Sequence, residues 1–368
     1  MKKRSVIYNF VFSIVLLAVI SVPGQSQSSV SSEQKKQIEA AISAAMSKQN
    51  IPGFSVTIAI NNQIAWSQGY GLADAENSVP ATPKTAYRIA SVSKPITAVA
   101  AMQLVEKGKL DLDAPVQNYC SAFPEKSQKI TTRHLIGHLS GIRHYKTNEE
   151  FNSTRHYNNV VESMDGFKNE PLLQEPGTKF VYTTFGYVVL GCVVEGAAKM
   201  PFADYLRENI FRPAGMERTR IDDLYAIIPN RARGYARTKS GELRNADLAD
   251  TSNKIPGGGL VSTTEDIAKF AIAAQTGVLL KKETFEQMLV PMKTGDGKES
   301  PYFGWLISGL SEAKVITHGG AQQGTSTQLY IAPGKQLVVV LMANMEGVNH
   351  VEITKQIITI LQSASAKN

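Results

Sequence analysis

A serine placed three residues ahead of a lysine is the smallest pattern in this sequence that could do covalent chemistry. The string S-x-x-K occurs three times, at Ser32/Lys35, Ser91/Lys94 and Ser311/Lys314. A serine in the first turn of a helix lies near free backbone N–H groups and the positive end of the helix dipole. Both favour an alkoxide-like nucleophile and the oxyanion it forms. The lysine then falls on the same helix face, and a desolvated amine sheds its proton near neutral pH and can serve as a base. Ser91 meets these conditions, because Ile96, Val99, Ala100, Leu104 and Val105 follow at helical spacing up to Lys107-Gly108. Pro95 is tolerated in a first turn, whose N–H groups have no partner inside the helix. Ser32 begins a different helix, where serine is routine, and Ser311 sits in a polar stretch between two expected strands. On the motif alone, a cap followed by a surface lysine is the better reading of Ser91/Lys94, so the surrounding sequence must decide.

Other chemistry finds less support. His134 and His138 have H-x-x-x-H spacing, but no glutamate follows His134, and no thiol or histidine stands at ligand spacing from Cys120 or Cys192. No metal or other cofactor is expected. The Gly-x-Ser-x-Gly elbow of α/β-hydrolases surrounds no serine. The basic residues are scattered rather than clustered, which argues against a nucleic-acid partner.

The elements that would position Ser91 come from both ends of the chain. Residues 31–48 carry Ile38, Ala41, Ile42, Ala45 and Met46 at helical spacing, with Ser31 and Gln34 placed as a capping box. Two β-rich runs, 54–60 and 63–70, meet at Asn61-Asn62, residues that tolerate a tight hairpin. Toward the other end, 302–308, 314–318, 325–331 and 336–343 read as strands, with a turn at Pro333-Gly334, and 351–363 reads as a helix. The most economical assembly is one antiparallel sheet built from both termini and flanked by the terminal helices, an α+β arrangement. The stretch from about 95 to 295 would form an inserted helical lobe, leaving a cleft between lobe and sheet as the natural site.

The neighbourhood of Ser91 decides its reading. Tyr87-Arg88-Ile89-Ala90-Ser91-Val92-Ser93-Lys94-Pro95 resembles the nucleophile segment of the serine β-lactamase and penicillin-binding protein superfamily, in particular its class C and esterase-like branches. Ile130 to Ile142, Pro176 to Tyr187, Gly257 to Thr263 with Asp266, and His318-Gly319-Gly320 resemble its further segments in the same order, over nearly the whole chain. The resemblance implies a β-lactamase/transpeptidase-like fold and a single serine hydrolase domain over 29–368. It also implies an acyl-enzyme on Ser91, with Lys94 and Tyr182 handling protons and the backbone amides of Ser91 and Ala321 forming the oxyanion hole. Thr184, His318, Gly319 and Gly320 would contact substrate. A phenol acts as a base only if cations lower its pKa, and Lys94 is the expected neighbour of Tyr182. The resemblance also gives His134 and His138 a structural role.

Two departures bear on the substrate. Thr184 stands where the superfamily usually has asparagine, and His318 where it often has lysine, so a fixed positive charge is replaced by one mostly absent at pH 7. Recognition of a β-lactam carboxylate is weakened, and a peptidase or amidase comes first. A carboxylesterase or weak β-lactamase is the alternative within hydrolases, and a catalytically silent binding module the alternative outside them. The expected partner is a small-molecule or peptide substrate, with the region 145–175 bordering the cleft. A homo-oligomer stays open.

At the N-terminus, Lys2, Lys3 and Arg4, an apolar run over 6–22 and the small polar tail to Ser28 have the layout of a secretory signal peptide over 1–28. The expected location is therefore periplasmic or secreted, without a stable membrane anchor. Loss of those three cations would lower the formal net charge from +7 to +4. Cys120 and Cys192 would suit a disulfide after export. Cys192, however, lies within the apolar run Val188 to Val194, where a lone thiol is a common core filler, so unpaired cysteines are the preferred expectation.

Overall fold

The computed structural model describes residues 29–309 and 313–363. The expected signal peptide and Ser311 lie outside the described residues. Helix α1 (Ser32–Gln49) starts at the anticipated capping box: Ser31 Oγ accepts from the Gln34 amide, and the Gln34 side chain accepts from the Ser31 amide. Strands β1 (Gly53–Ile60) and β2 (Gln63–Asp74) follow, joined through Asn61 and Asn62, both at positive φ. After the short β3 (Val79–Pro80), the chain leaves the sheet until β4 (Leu306–Ser308), β5 (Val315–Gln322), β6 (Thr325–Ala332) and β7 (Leu337–Ala343).

The seven strands pack in the order β4-β5-β6-β7-β1-β2-β3. Antiparallel pairing of β1 with β7, Phe54 opposite Ala343 and Ile60 opposite Leu337, joins the two ends of the chain into one sheet. Side chains alternate along β1. Phe54, Val56 and Ile58 pack with Ile38 and Ile42 of α1 and with Ile353 and Ile357 of the last helix, α5 (His350–Ser363). Ser55 and Thr57 face the other way, where Thr57 Oγ1 bonds Thr264 Oγ1 at 2.8 Å and Ser55 Oγ bonds the Tyr87 hydroxyl at 2.9 Å. Both faces of the sheet are therefore covered.

Two strand boundaries differ from the sequence expectation. The strand expected over 302–308 is confined to its last three residues, because Gly304 takes φ +86° in a turn closed by the Phe303 amide bonding the Trp305 carbonyl. The strand expected to stop at His318 runs through Gly319-Gly320 to Gln322. The 95–295 stretch is helical around α2 (Ser93–Glu106), α3 (Thr184–Ala198) and α4 (Thr264–Gln275), and it also contains small sheets. In one of these, Tyr87–Arg88 and Arg220–Ile221 flank Leu260–Ser262. The Thr57–Thr264 bond places α4 against the main sheet rather than away from it.

The preference for unpaired cysteines is corrected. Cys120 and Cys192 form a disulfide across a sequence separation of 72 residues, with Cα atoms 5.4 Å apart. Cys192 is buried on α3 as its apolar neighbours require, but that run says nothing of what packs opposite it. The turn Val116–Asn118 delivers Cys120 to that position.

Candidate active site

Ser91 lies in a 3-10 turn, Ala90–Val92, that leads directly into α2. The preceding strand is anchored on both sides. The Ile89 amide bonds the Leu260 carbonyl at 2.9 Å, and the Arg88 guanidinium pairs at 2.8 Å with the buried carboxylate of Asp222, which Arg231 and Thr251 also hold. From β6, Thr325 and Thr327 donate their hydroxyls to the carbonyls of Arg88 and Ile89. Ala90 is held at φ +48°, a conformation that costs an alanine about 1 kcal/mol or more and persists where the surroundings enforce it.

Gly320 explains how closely β5 can approach this turn. A Cβ there would lie 2.3 Å from Thr327 Oγ1 and 2.4 Å from the Ile89 carbonyl oxygen. β4 pairs with β5 only as far as Thr317. Beyond it, Gly319, Gly320 and Ala321 line the same cavity as Ser91, with a volume of about 410 Å³. The two glycines expected to contact substrate differ in what they are needed for. Gly320 is needed for packing, whereas a Cβ at Gly319 would meet nothing closer than 3.5 Å.

Lys94 is fully buried, and its Nζ lies 3.0 Å from Ser91 Oγ, 3.1 Å from Thr184 Oγ1 and 2.7 Å from the Gly257 carbonyl oxygen. Burial, reinforced by repulsion from Lys254, holds its amine well below the ordinary lysine pKa. A neutral amine has two N–H groups and one lone pair. In that form the Gly257 carbonyl and Thr184 can take the two N–H groups, which leaves the lone pair for the Ser91 hydroxyl. Gly257 is needed for this approach, since a Cβ there would stand 2.8 Å from Thr184 Cγ2.

Tyr182 is brought to the same centre, with its ring 4.9 Å from Lys94 Nζ and its hydroxyl hydrogen-bonded to Ser91. Its pKa does not fall as expected. Burial pushes the phenol above its ordinary value and outweighs the hydrogen bond with Ser91, which acts in the other direction. Tyr182 is therefore a protonated donor at rest. Thr184, expected at substrate, is occupied by Lys94 and by a hydrogen bond with the Tyr145 phenol.

His318 is buried, and burial lowers its pKa to about 3, so it is neutral. Its Nδ1 lies 2.8 Å from the Gly319 carbonyl, which can only accept, so the proton sits on Nδ1 and Nε2 presents a lone pair without a partner. His134 closes a capping box with Thr131. His138 is buried against the Tyr182 ring at 4.3 Å, and its Nδ1 accepts the Thr183 amide at 3.1 Å.

Two residues of the site, His144 and Lys254, went unnoticed in the sequence, and Tyr145 was expected only as the start of the 145–175 stretch that borders the cleft. His144 Nδ1 accepts the Thr184 amide at 3.2 Å, and His144, Tyr145 and Lys254 all line the cavity. Lys254 could have been suspected from its place just ahead of Pro256-Gly257-Gly258; His144 carries no such mark. Arg143 fixes the loop of His144 and Tyr145 by pairing with Glu150 and Glu170, while its carbonyl accepts from the Thr183 hydroxyl.

Comparison with known proteins agrees with this geometry. The serine beta-lactamase-like protein LACTB of human mitochondria is 31% identical over 405 residues, covering 81% of this chain and 74% of that protein. The octameric penicillin-binding protein homologue from Pyrococcus abyssi superposes with a TM-score of 0.74 at 26% identity, over 84% of this chain and 73% of that one. The D-amino acid amidase of Ochrobactrum anthropi SV3 shares the fold, with a TM-score of 0.79 at 23% identity over 91% of this chain and 100% of its own. A family model described as Beta-lactamase matches residues 38–361, and the chain belongs to that family of serine hydrolases.

Proposed function

We propose that this chain is an exported serine hydrolase that forms an acyl-enzyme on Ser91, acting first of all as a peptidase or amidase. The observation that carries the reading is the buried Lys94 amine, held well below the ordinary lysine pKa, 3.0 Å from Ser91 Oγ. Ser91 Oγ attacks the carbonyl carbon as its proton passes to Lys94, and the backbone amides of Ser91 and Ala321 receive the oxyanion. Tyr182 gives its proton to the departing nitrogen or oxygen and is reprotonated from Lys94, the C–N or C–O bond breaks, and the acyl group stays on Ser91. Water then attacks the ester as its proton passes to Lys94, the bond from the acyl carbon to Ser91 Oγ breaks, Lys94 returns that proton to Oγ, and the acid is released.

A neutral His318 offers a substrate carboxylate no charge, which supports an amide or ester over a β-lactam. The Cys120–Cys192 disulfide supports a location outside the reducing cytosol. The test is intact-mass spectrometry after exposure to a fluorophosphonate, on the chain and on Ser91→Ala. One adduct, lost in the variant, is expected; no adduct on folded protein would leave a silent binding module as the better account.

A further inference from the structure

Lys254 is a second buried lysine in the cavity, and the proposed reaction does not use it. It is 2% exposed, and its Nζ donates to the Phe151 carbonyl oxygen at 3.0 Å, an acceptor it shares with Gln323. The rings of Phe151 and Tyr145 lie 4.6 and 5.5 Å from Nζ. An ammonium group has three donors, and this one forms no ion pair among the described residues. The carboxylates around it are committed elsewhere: Asp222 to Arg88, Arg231 and Thr251, and Glu150 to Arg143. An uncompensated buried cation is costly, and burial lowers its pKa to about 7. The neighbouring Asn253 Oδ1 is also buried without a partner. One of the three donors is taken by the Phe151 carbonyl, and the others have no hydrogen-bond acceptor among the described residues, in the wall of a cavity that Ser91 also lines.

The leaving group lies beside its proton donor, Tyr182, which bonds Ser91 and whose ring stands 5.7 Å from His144 and 6.1 Å from Tyr302. Tyr145, which bonds Thr184, lines the cavity together with Phe151 and Lys254, and these walls are available to receive the acyl portion.

We propose that Lys254 is a specificity-determining residue that selects substrates whose acyl portion carries a carboxylate, which it binds at the Tyr145–Phe151 end of the cavity. This rests on the hydrolase reading of Ser91. The carboxylate supplies the missing acceptor, and the aromatic walls exclude water from the pair. Substrates of this class are esters or amides of dicarboxylic acids, or of acyl groups with an acidic side chain.

The test compares 4-nitrophenyl hydrogen glutarate and 4-nitrophenyl hydrogen adipate with their neutral methyl esters, after subtraction of spontaneous hydrolysis. The comparison is made on the full chain and on Lys254→Met. The expected result is a higher kcat/KM for an acidic ester in the unaltered chain, with the acidic-to-neutral ratio falling tenfold or more in the variant. A second measurement needs no variant: free adipate should slow fluorophosphonate labelling of Ser91 more than hexanamide does. An unchanged ratio, or equal protection by the two ligands, overturns the role of Lys254 while labelling of Ser91 leaves the hydrolase standing. Absence of any labelling overturns both.

Discussion

Breaking the Cys120–Cys192 bond should lower the stability of the fold by an amount its position fixes. The bond closes a loop across a sequence separation of 72 residues. The chain-entropy relation assigns a loop of that size about 4 kcal/mol of destabilisation of the unfolded state at 25 °C. Unfolding entropy near 2.1 cal/mol/K per residue, for a domain of this length, turns that into a drop of about 6 °C in the melting midpoint. Cys192→Ala, or reduction in mild denaturant followed by dilution, should produce the shift in a calorimetric scan. Thiol titration of the unfolded chain should find no free thiol without reductant. Cys192 stands two turns along α3 from Thr184, which Lys94 and His144 hold independently. Labelling of Ser91 well below both midpoints should therefore persist. Two titratable thiols without reductant, or a midpoint indifferent to the substitution, would refute the reasoning.

Three further outcomes concern the site. Lys94→Met removes the base and should slow fluorophosphonate labelling about 100- to 10,000-fold; because it also removes a buried amine with no carboxylate partner, the melting midpoint should not fall, and a variant that labels normally would exclude Lys94 as base. The labelling rate of the unaltered chain should rise with pH, because only the neutral amine accepts the Ser91 proton, and it should level off well below the ordinary lysine value of 10.5; a plateau reached only near 10.5 would contradict the burial argument. Gly320→Ala drives a Cβ into the Ile89 carbonyl and Thr327, which should cost about 1–3 kcal/mol of stability in a chemical denaturation curve and, by displacing the Ala321 amide, about 100-fold or more in kcat on an ester.

The terminal elements were legible because their signals are local. The capping box of α1, the Asn61-Asn62 turn and the alternation of β1 each depend on neighbours within a few residues. Ser91 and Lys94 were legible for the same reason, three residues apart at a helix start. Tyr182 could be placed only through resemblance, since nothing in its own neighbourhood requires a phenol near a serine 91 positions earlier. Its protonation was misjudged because burial, which outweighs the expected cation, is not visible in the order of residues. The partner of Cys192 and the lack of an ion-pair partner for Lys254 among the described residues are likewise properties of what packs opposite. The helix Thr264–Gln275 shows the same limit: its amphipathic pattern gives a helix, while the Thr57–Thr264 bond decides which layer it joins.

The pairing of β1 with β7 also sets a timetable for synthesis. Phe54 has no sheet partner on that side until Ala343 has been made, an interval of roughly 15–60 s at ordinary translation rates. During it, the apolar edge of the β1–β2 hairpin is bare while the intervening lobe is already available to collapse. Contacts of such long sequence separation form slowly, so a nascent chain of this protein should depend on a holding factor that shields the hairpin, and truncation before β7 should yield aggregates rather than a shortened enzyme.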